Sequence, residues 1–324
     1  MAWDDILGQA LAKDLLHAHL VSGRVAPAYL LIGPEGVGKR RLALEFAKAL
    51  NCTGGTPQPC DACAACGQMG RLAHPDLHVL APGGASEQIK IETIRQLIGR
   101  LSLRPYNAAV QVAIIDGAER LTEEAANSLL KILEEPPART RFLLTTAARS
   151  ACLPTIVSRC QLVRCQPLSV EIVRQIVMRE AGVEPAAAET IARLAGGSAA
   201  RALELAGRWA ARAALAARAA SADPVAWFEP PLPESREDVT ALVEGLLEWV
   251  RDLACTTVEL PEQVAHAQHA PALRRQARGL DPGRCVAVGL KLLALRESLD
   301  QFVSPRLVAG LAREQWLSLT TVSC

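Results

Sequence analysis

A chain of 324 residues, half of them apolar, is long enough for two or three domains with substantial cores. A net charge of +1 and an aromatic content of 3% exclude a domain that grips nucleic acid by itself, since it lacks both a basic field and stacking platforms. No run of about 18 uncharged apolar residues occurs and no basic segment precedes an apolar one at the N-terminus, so neither a membrane span nor a signal peptide is expected, and the cytoplasm is the expected compartment.

Residues Trp3 to Val21 read as a helix with Ile6, Leu7, Ala10, Leu11, Leu15, Leu16 and Leu20 on one face, ended by Gly23. The apolar run Tyr29 to Ile32 then reads as a strand leading into Gly33-Pro34-Glu35-Gly36-Val37-Gly38-Lys39-Arg40 and a helix from Arg41 to Leu50. Strand, glycine turn and helix are the context in which G-x-x-x-x-G-K cradles phosphate, as against an ordinary glycine-rich turn. The glycines let successive N–H groups converge, Lys39 adds a point charge, and the helix N-terminus adds its dipole. The following position departs from the pattern: an ATPase of this type places Ser or Thr there for Mg²⁺, and Arg40 has no hydroxyl.

Cys52, Cys60, Cys63 and Cys66 follow in a Gly- and Pro-rich loop with the spacing C-x7-C-x2-C-x2-C. Such a loop cannot build a hydrophobic core, and four thiolates around Zn²⁺ would fold it without one; a redox cluster or loose thiols are the alternatives. A catalytic zinc is disfavoured because it needs an open position. His74 and His78 read as bystanders, and Cys152, Cys160, Cys165, Cys255, Cys285 and Cys324 as buried or incidental thiols.

Asp76 to Leu80 is expected as a second strand, Ile91 to Leu101 as an amphipathic helix, and Gln111 to Asp116 as a strand buried on both faces. Asp116 fits the acid that holds Mg²⁺ through water in P-loop enzymes, with a turn cap as its alternative. Gly117 stands where an active enzyme would carry a glutamate, and Glu119 comes two positions too late. Thr122 opens a helix with Ala125, Leu129, Leu130, Ile132 and Leu133 inward, stopped by Glu134-Glu135-Pro136-Pro137. A strand at Arg141 to Thr146, a short helix or turn at Pro154 to Cys160 and a strand at Gln161 to Cys165 complete an α/β pattern predicting a doubly wound parallel sheet. Beyond Pro167 strand signals stop. Three short helices run to about residue 210 with a break at Gly196-Gly197-Ser198, residues 208–220 read as an Ala- and Arg-rich helix, and Ala222 to Glu234 reads as a Pro-rich linker. Helices from Val239 to the end carry the apolar stripes of a bundle core.

Taken together, Gly33 to Lys39, the Cys quartet, Val112 to Asp116, Ala125 to Pro137 and Ser158-Arg159-Cys160 resemble, in order and spacing, the AAA+ clamp-loader subunits of bacterial DNA polymerase III. The resemblance is specific over residues 1 to about 205 and looser beyond. It implies a RecA-like AAA+ P-loop domain at 1–166 with a zinc loop at 52–66, a small helical lid at 167–210 and an all-helical collar at 211–324. The nucleotide-binding positions would be Gly33, Pro34, Gly36, Val37, Gly38, Lys39, Arg40 and Asp116, and Zn²⁺ on the four cysteines would be structural. Arg159, which alone reads as a solvated arginine, gains by the resemblance the role of an arginine finger acting in trans on a neighbour's ATP.

The implied partners are gamma/tau and delta subunits in a hetero-oligomer and, through it, the sliding clamp and primed DNA. Arg40, Gly117 and Ala200, the last in the place of a second sensor arginine with Arg201 one position off, separate the chain from the ATP-hydrolysing gamma/tau branch. They imply a subunit that holds ATP or ADP without efficient turnover and has no autonomous catalysis. A gamma/tau-like motor and a purely structural zinc scaffold are the alternatives, and the delta branch is a poorer match.

Overall fold

A computed structural model describes residues 3–54, 57–83, 87–221, 223–228, 231–301 and 303–320; Cys324, and Ala222 and Pro230 of the expected linker, lie outside them. The chain forms two compact units, one of Met1–Ile172 with Gly197–Ala200, the other of Val173–Gly196 with Arg201–Cys324.

The first unit is built on five strands, β1 (Ala28–Ile32), β2 (Leu77–Leu80), β3 (Gln111–Ile115), β4 (Thr140–Thr146) and β5 (Gln161–Arg164). All pairings are parallel and the order is β2-β3-β4-β1-β5. The strands fall close to where the sequence predicts them. The inner strands β1, β3 and β4 are nearly continuously buried because a strand covered on both faces has no polar side to display, whereas the edge strands β2 and β5 are partly exposed. Alternate residues serve opposite faces. Leu30, Phe142, Leu144 and Ile115 pack with α4 (Ile91–Leu101) and α5 (Glu123–Glu134), while Tyr29, Leu31, Leu143 and Ile114 pack with α1 (Ala10–Ser22) and α2 (Lys39–Asn51). Each large side chain so buried stabilises the layer by about 1.5–3 kcal/mol. The Thr122 hydroxyl accepts from the Ala125 N–H and caps α5, as expected.

Three local expectations are corrected. The first helix begins at Ala10 and not Trp3, because Gly8 and Gln9 adopt positive φ of 76° and 55°. The Gln9 side chain is turned inward there: its amide nitrogen donates to Gln166 O at 2.7 Å and its oxygen accepts from Gln166 N at 2.9 Å. Leu11, expected on the inner face, is exposed as a result. The cysteine segment is also less irregular than its composition suggests, since α3 (Ala64–Gly70) forms within it and buries Cys66 and Met69. The strand expected from Asp76 starts one residue later. The Asp76 carboxylate instead accepts from the N–H groups of Tyr106, Asn107 and Ala108 and fixes the loop before β3.

The chain continues through α6 (Pro154–Val157) and then α7 (Val170–Ala181), α8 (Pro185–Leu194), α9 (Ala199–Gly207), α10 (Trp209–Ala220), α11 (Arg236–Thr257), α12 (Ala270–Ala277), α13 (Pro282–Ser298) and α14 (Pro305–Thr320). Among the described residues no strand follows Arg164. The core of the second unit gathers Val243, Leu246 and Trp249 of α11 with Val288 and Leu292 of α13 and Trp316 of α14. Trp227, inside the expected linker, is buried with its ring 5.6 Å from that of Trp316, so this stretch is anchored in the core and is no free tether. Asp252 is fully buried and accepts from the N–H groups of Ala265 and His266 and from His266 Nδ1, joining α11 to the chain before α12.

Candidate functional site

The phosphate loop leaves β1 at Gly33 and enters α2 at Lys39. A Cβ on Gly33 would stand 2.2 Å from the Cys165 carbonyl oxygen, so only glycine fits beside β5. Gly36 and Gly38 have φ of 74° and 98°, the left-handed turns that aim successive N–H groups into one hollow. Lys39 is buried, and its Nζ donates to the carbonyls of Gly33 at 2.6 Å and Pro34 at 2.7 Å. Burial pulls its pKa down, opposed by the field of Cys165, Glu119, Asp116 and Glu35. Ala200 N donates to Gly36 O at 3.3 Å, which places a methyl group, and no guanidinium, at the expected sensor position.

Asp116 is not free. The Arg40 guanidinium approaches its Oδ2 at 3.7 Å, and the Thr145 hydroxyl donates to its Oδ1 at 2.6 Å. Thr145 also accepts from Gly117 N at 3.0 Å. Glu119 spends one oxygen on Ala147 N at 3.1 Å and thereby ties the chain after β3 to the chain after β4. Sequence reasoning missed Thr145; its only signal was a polar pair, Thr145-Thr146, closing the otherwise apolar strand Phe142-Leu143-Leu144.

A cavity of about 720 Å³ starts at Gly36, Lys39 and Arg40 and runs along α2 past Lys48 to Asp61 and Cys66. Lys48, almost wholly buried, ties α2 to the cysteine loop: its Nζ donates to Glu45 Oε2 at 2.7 Å and pairs with Asp61 of that loop.

The sulfurs of Cys52, Cys60, Cys63 and Cys66 lie within 4.8 Å of one another. A tetrahedral zinc with Zn–S bonds of about 2.3 Å wants sulfurs about 3.8 Å apart, so a quartet gathered this tightly is compatible with the ion. Backbone N–H groups of Gly54 and Cys60 point at Cys52 Sγ, that of Cys63 at Cys60 Sγ and that of Cys66 at Cys63 Sγ. These donors stabilise thiolates. Such hydrogen bonds, first of all from Cys66 N–H, bring Cys63 down to about 5, whereas burial holds Cys66 up at about 12. His74 and His78 stand outside the quartet, and His74 Nδ1 is engaged by Asp76 N at 3.1 Å. Burial pushes Cys160 up to about 12 and Cys165 to about 11, leaving both as protonated, unreactive thiols.

Arg159 follows α6 and does not line the cavity. Its Nη2 pairs with Glu134 Oε1 at 2.5 Å and its Nη1 donates to Thr155 O at 3.0 Å, with a third of the side chain exposed. The arginine is thus held at the surface by the acid that ends α5.

A parallel sheet in this order, with a glycine-rich phosphate loop leaving β1 and an acid just after β3, is the core of an AAA+ P-loop protein. The chain belongs to the family described as DNA polymerase III, delta subunit, whose model matches residues 8–169. It is 35% identical over 187 residues to the DNA polymerase III subunit delta′ of Bacillus subtilis, covering 57% of this chain and 56% of that one. The delta′ subunit of Pseudomonas aeruginosa is 36% identical over 198 residues, with 60% and 58% covered. The tau subunit of Escherichia coli is 36% identical over 207 residues, with 62% and 32% covered. The chain therefore spans little more than half the length of the delta′ relatives and a third of tau.

Proposed function

We propose that the chain works as the delta-prime, stator-like subunit of a DNA polymerase III clamp loader, assembling with gamma/tau and delta subunits to place a sliding clamp on primed DNA in the cytoplasm. The observation that carries this reading is the Arg40–Asp116 pair. It sets a cation on the acid that would hold Mg²⁺, and with Gly117 next to it there is no glutamate to activate water. The chain's own contribution to catalysis is then Arg159, offered to the ATP of a neighbour: a guanidinium is always charged and binds phosphate oxygens through two N–H groups. Glu134 keeps it extended and yields it to the stronger anion. Residues 167–210 serve as lid and 211–324 as collar, and Zn²⁺ on the four cysteines fixes the loop beside α2.

A gamma/tau-like motor is favoured by one observation, the intact Gly33 to Lys39 loop. Steady-state ATP turnover with Mg²⁺ separates the readings. The purified chain is expected to be silent alone and to accelerate turnover when mixed with an ATP-competent gamma/tau partner, and Arg159→Ala is expected to remove that acceleration, by up to about 10³-fold. Robust turnover by the chain alone establishes the motor, and unchanged stimulation by Arg159→Ala refutes the finger.

A further inference from the structure

We propose that the phosphate loop takes a nucleoside di- or triphosphate as the metal-free polyanion, with the Arg40 guanidinium in the place of Mg²⁺. The inference rests on the reading of Gly33 to Lys39 as a nucleotide cradle and says what state of the nucleotide that cradle selects.

In a P-loop site the magnesium ion is held from two sides, by the hydroxyl that follows the lysine and by the acid after the third strand. Here both sides are altered together. The hydroxyl position is Arg40, and its Nη1 lies 3.7 Å from Asp116 Oδ2. The other Asp116 oxygen accepts from Thr145 Oγ1 at 2.6 Å. A hydrated divalent ion entering this corner would find each carboxylate oxygen already facing a partner and would sit against the positive charge of Arg40.

The two tasks that Mg²⁺ performs for a bound phosphate remain covered. It offsets the negative charge of the acid, which otherwise repels the ligand; Arg40 does this by pairing with Asp116. It also supplies a positive centre to the phosphate oxygens; Arg40 is half exposed, lines the cavity beside Gly36 and Lys39, and carries further N–H groups in a planar fork that matches phosphate. The rest of the cradle, the turns at Gly36 and Gly38 and the start of the 13-residue helix α2, is backbone and needs no metal. Lys39, now on the carbonyls of Gly33 and Pro34, is the second cation within reach of an anion bound there.

The test is a titration of the full chain with a fluorescent N-methylanthraniloyl-ADP, displaced by unlabelled ATP, in excess EDTA and again in millimolar Mg²⁺. Binding in EDTA at least as tight as in Mg²⁺ is the expected result. Arg40→Thr, which restores the hydroxyl, is expected to lose about tenfold or more in EDTA and to regain affinity on adding Mg²⁺. Arg40→Lys, which keeps the charge, is expected to retain most of the EDTA affinity; thermal melts check that both variants stay folded. A wild-type chain that needs Mg²⁺, or an Arg40→Thr variant with an unchanged metal response, overturns the proposal while leaving the cradle in place. Absence of binding under both conditions overturns it by removing the cradle, and the turnover assay with Arg159→Ala still judges the stator role independently.

Discussion

The two ends of α2 carry the two sites of the N-terminal unit, and they are built on different materials. At its N-terminus the helix opens from Gly38, and the site consists of backbone N–H groups with side chains added around them. At its C-terminus it is capped by Cys52, and the site consists of four side-chain sulfurs meeting at one point. A site made of sulfurs is all or nothing, since a closed tetrahedral ion loses its structure with any one ligand. A site made of backbone can change in parts: Arg40 can alter the metal requirement without erasing the cradle, because no side-chain substitution removes an N–H group short of proline.

The comparison can be broken or sharpened at several points. Cys63→Ser has the largest expected effect. Zinc content measured on the purified chain should fall from about one ion to none, with loss of binding energy on the order of 10 kcal/mol, and residues 57–70 should become open to proteolysis. Retention of the ion by three cysteines breaks the all-or-nothing description. Lys48→Met comes next, because it takes the lysine ammonium away from the acids Glu45 and Asp61 beneath the metal loop. Urea unfolding at neutral pH should show a loss of about 3–5 kcal/mol. Burial already raises Glu45, so in this variant the acids take up protons readily and the deficit should narrow as the pH falls. An undiminished deficit in acid argues that the methylene stem of Lys48, and not its charge, matters.

Gly33→Ala strikes the other end, where the added methyl meets the Cys165 carbonyl. A loss of about 1–3 kcal/mol in the same assay is expected, with zinc content unchanged, and coupled loss of zinc would show that the two ends do not fail separately. Asp76→Asn is the smallest and serves as a control, since Asp76 touches neither end. Burial alone would raise this carboxyl, but the N–H groups of Asn107, Tyr106 and Ala108 outweigh it and hold the pKa below the ordinary carboxylate value. Its contribution is therefore complete above an ordinary pKa of about 3.9 and lost as the pH falls toward the depressed one. The variant should lose about 1 kcal/mol at neutral pH and show a flatter acid limb, with metal and nucleotide binding as in the wild type.

The parts legible in the sequence are those whose causes are local. The inner strands β1, β3 and β4 declared themselves as apolar runs, the Cys spacing described a single closed loop, and Thr122 announced α5 as a cap. What escaped was decided at long range. The break before Ala10 depends on Gln9 reaching Gln166, far along the chain. Thr145 gains its meaning only because β3 and β4 are neighbours, which brings its hydroxyl onto Asp116. The pairing of Arg159 with Glu134 and the docking of Trp227 on Trp316 likewise join segments with no common periodicity. Composition also misled: a Pro-rich stretch between α10 and α11 looked like tether, yet Trp227 and Leu232 pack it onto the core.

The position of β1 in the sheet has a consequence for how the chain is made. This first strand pairs on one side with β4 and on the other with β5, and on neither with β2 or β3. During synthesis its apolar run therefore emerges more than a hundred residues ahead of either neighbour, with both hydrogen-bonding edges open. Gln9 waits longer still, for Gln166. The nascent module thus passes through a prolonged stage in which an interior strand is exposed, and closes at both seams almost together, once the segment from Thr140 to Gln166 has left the ribosome.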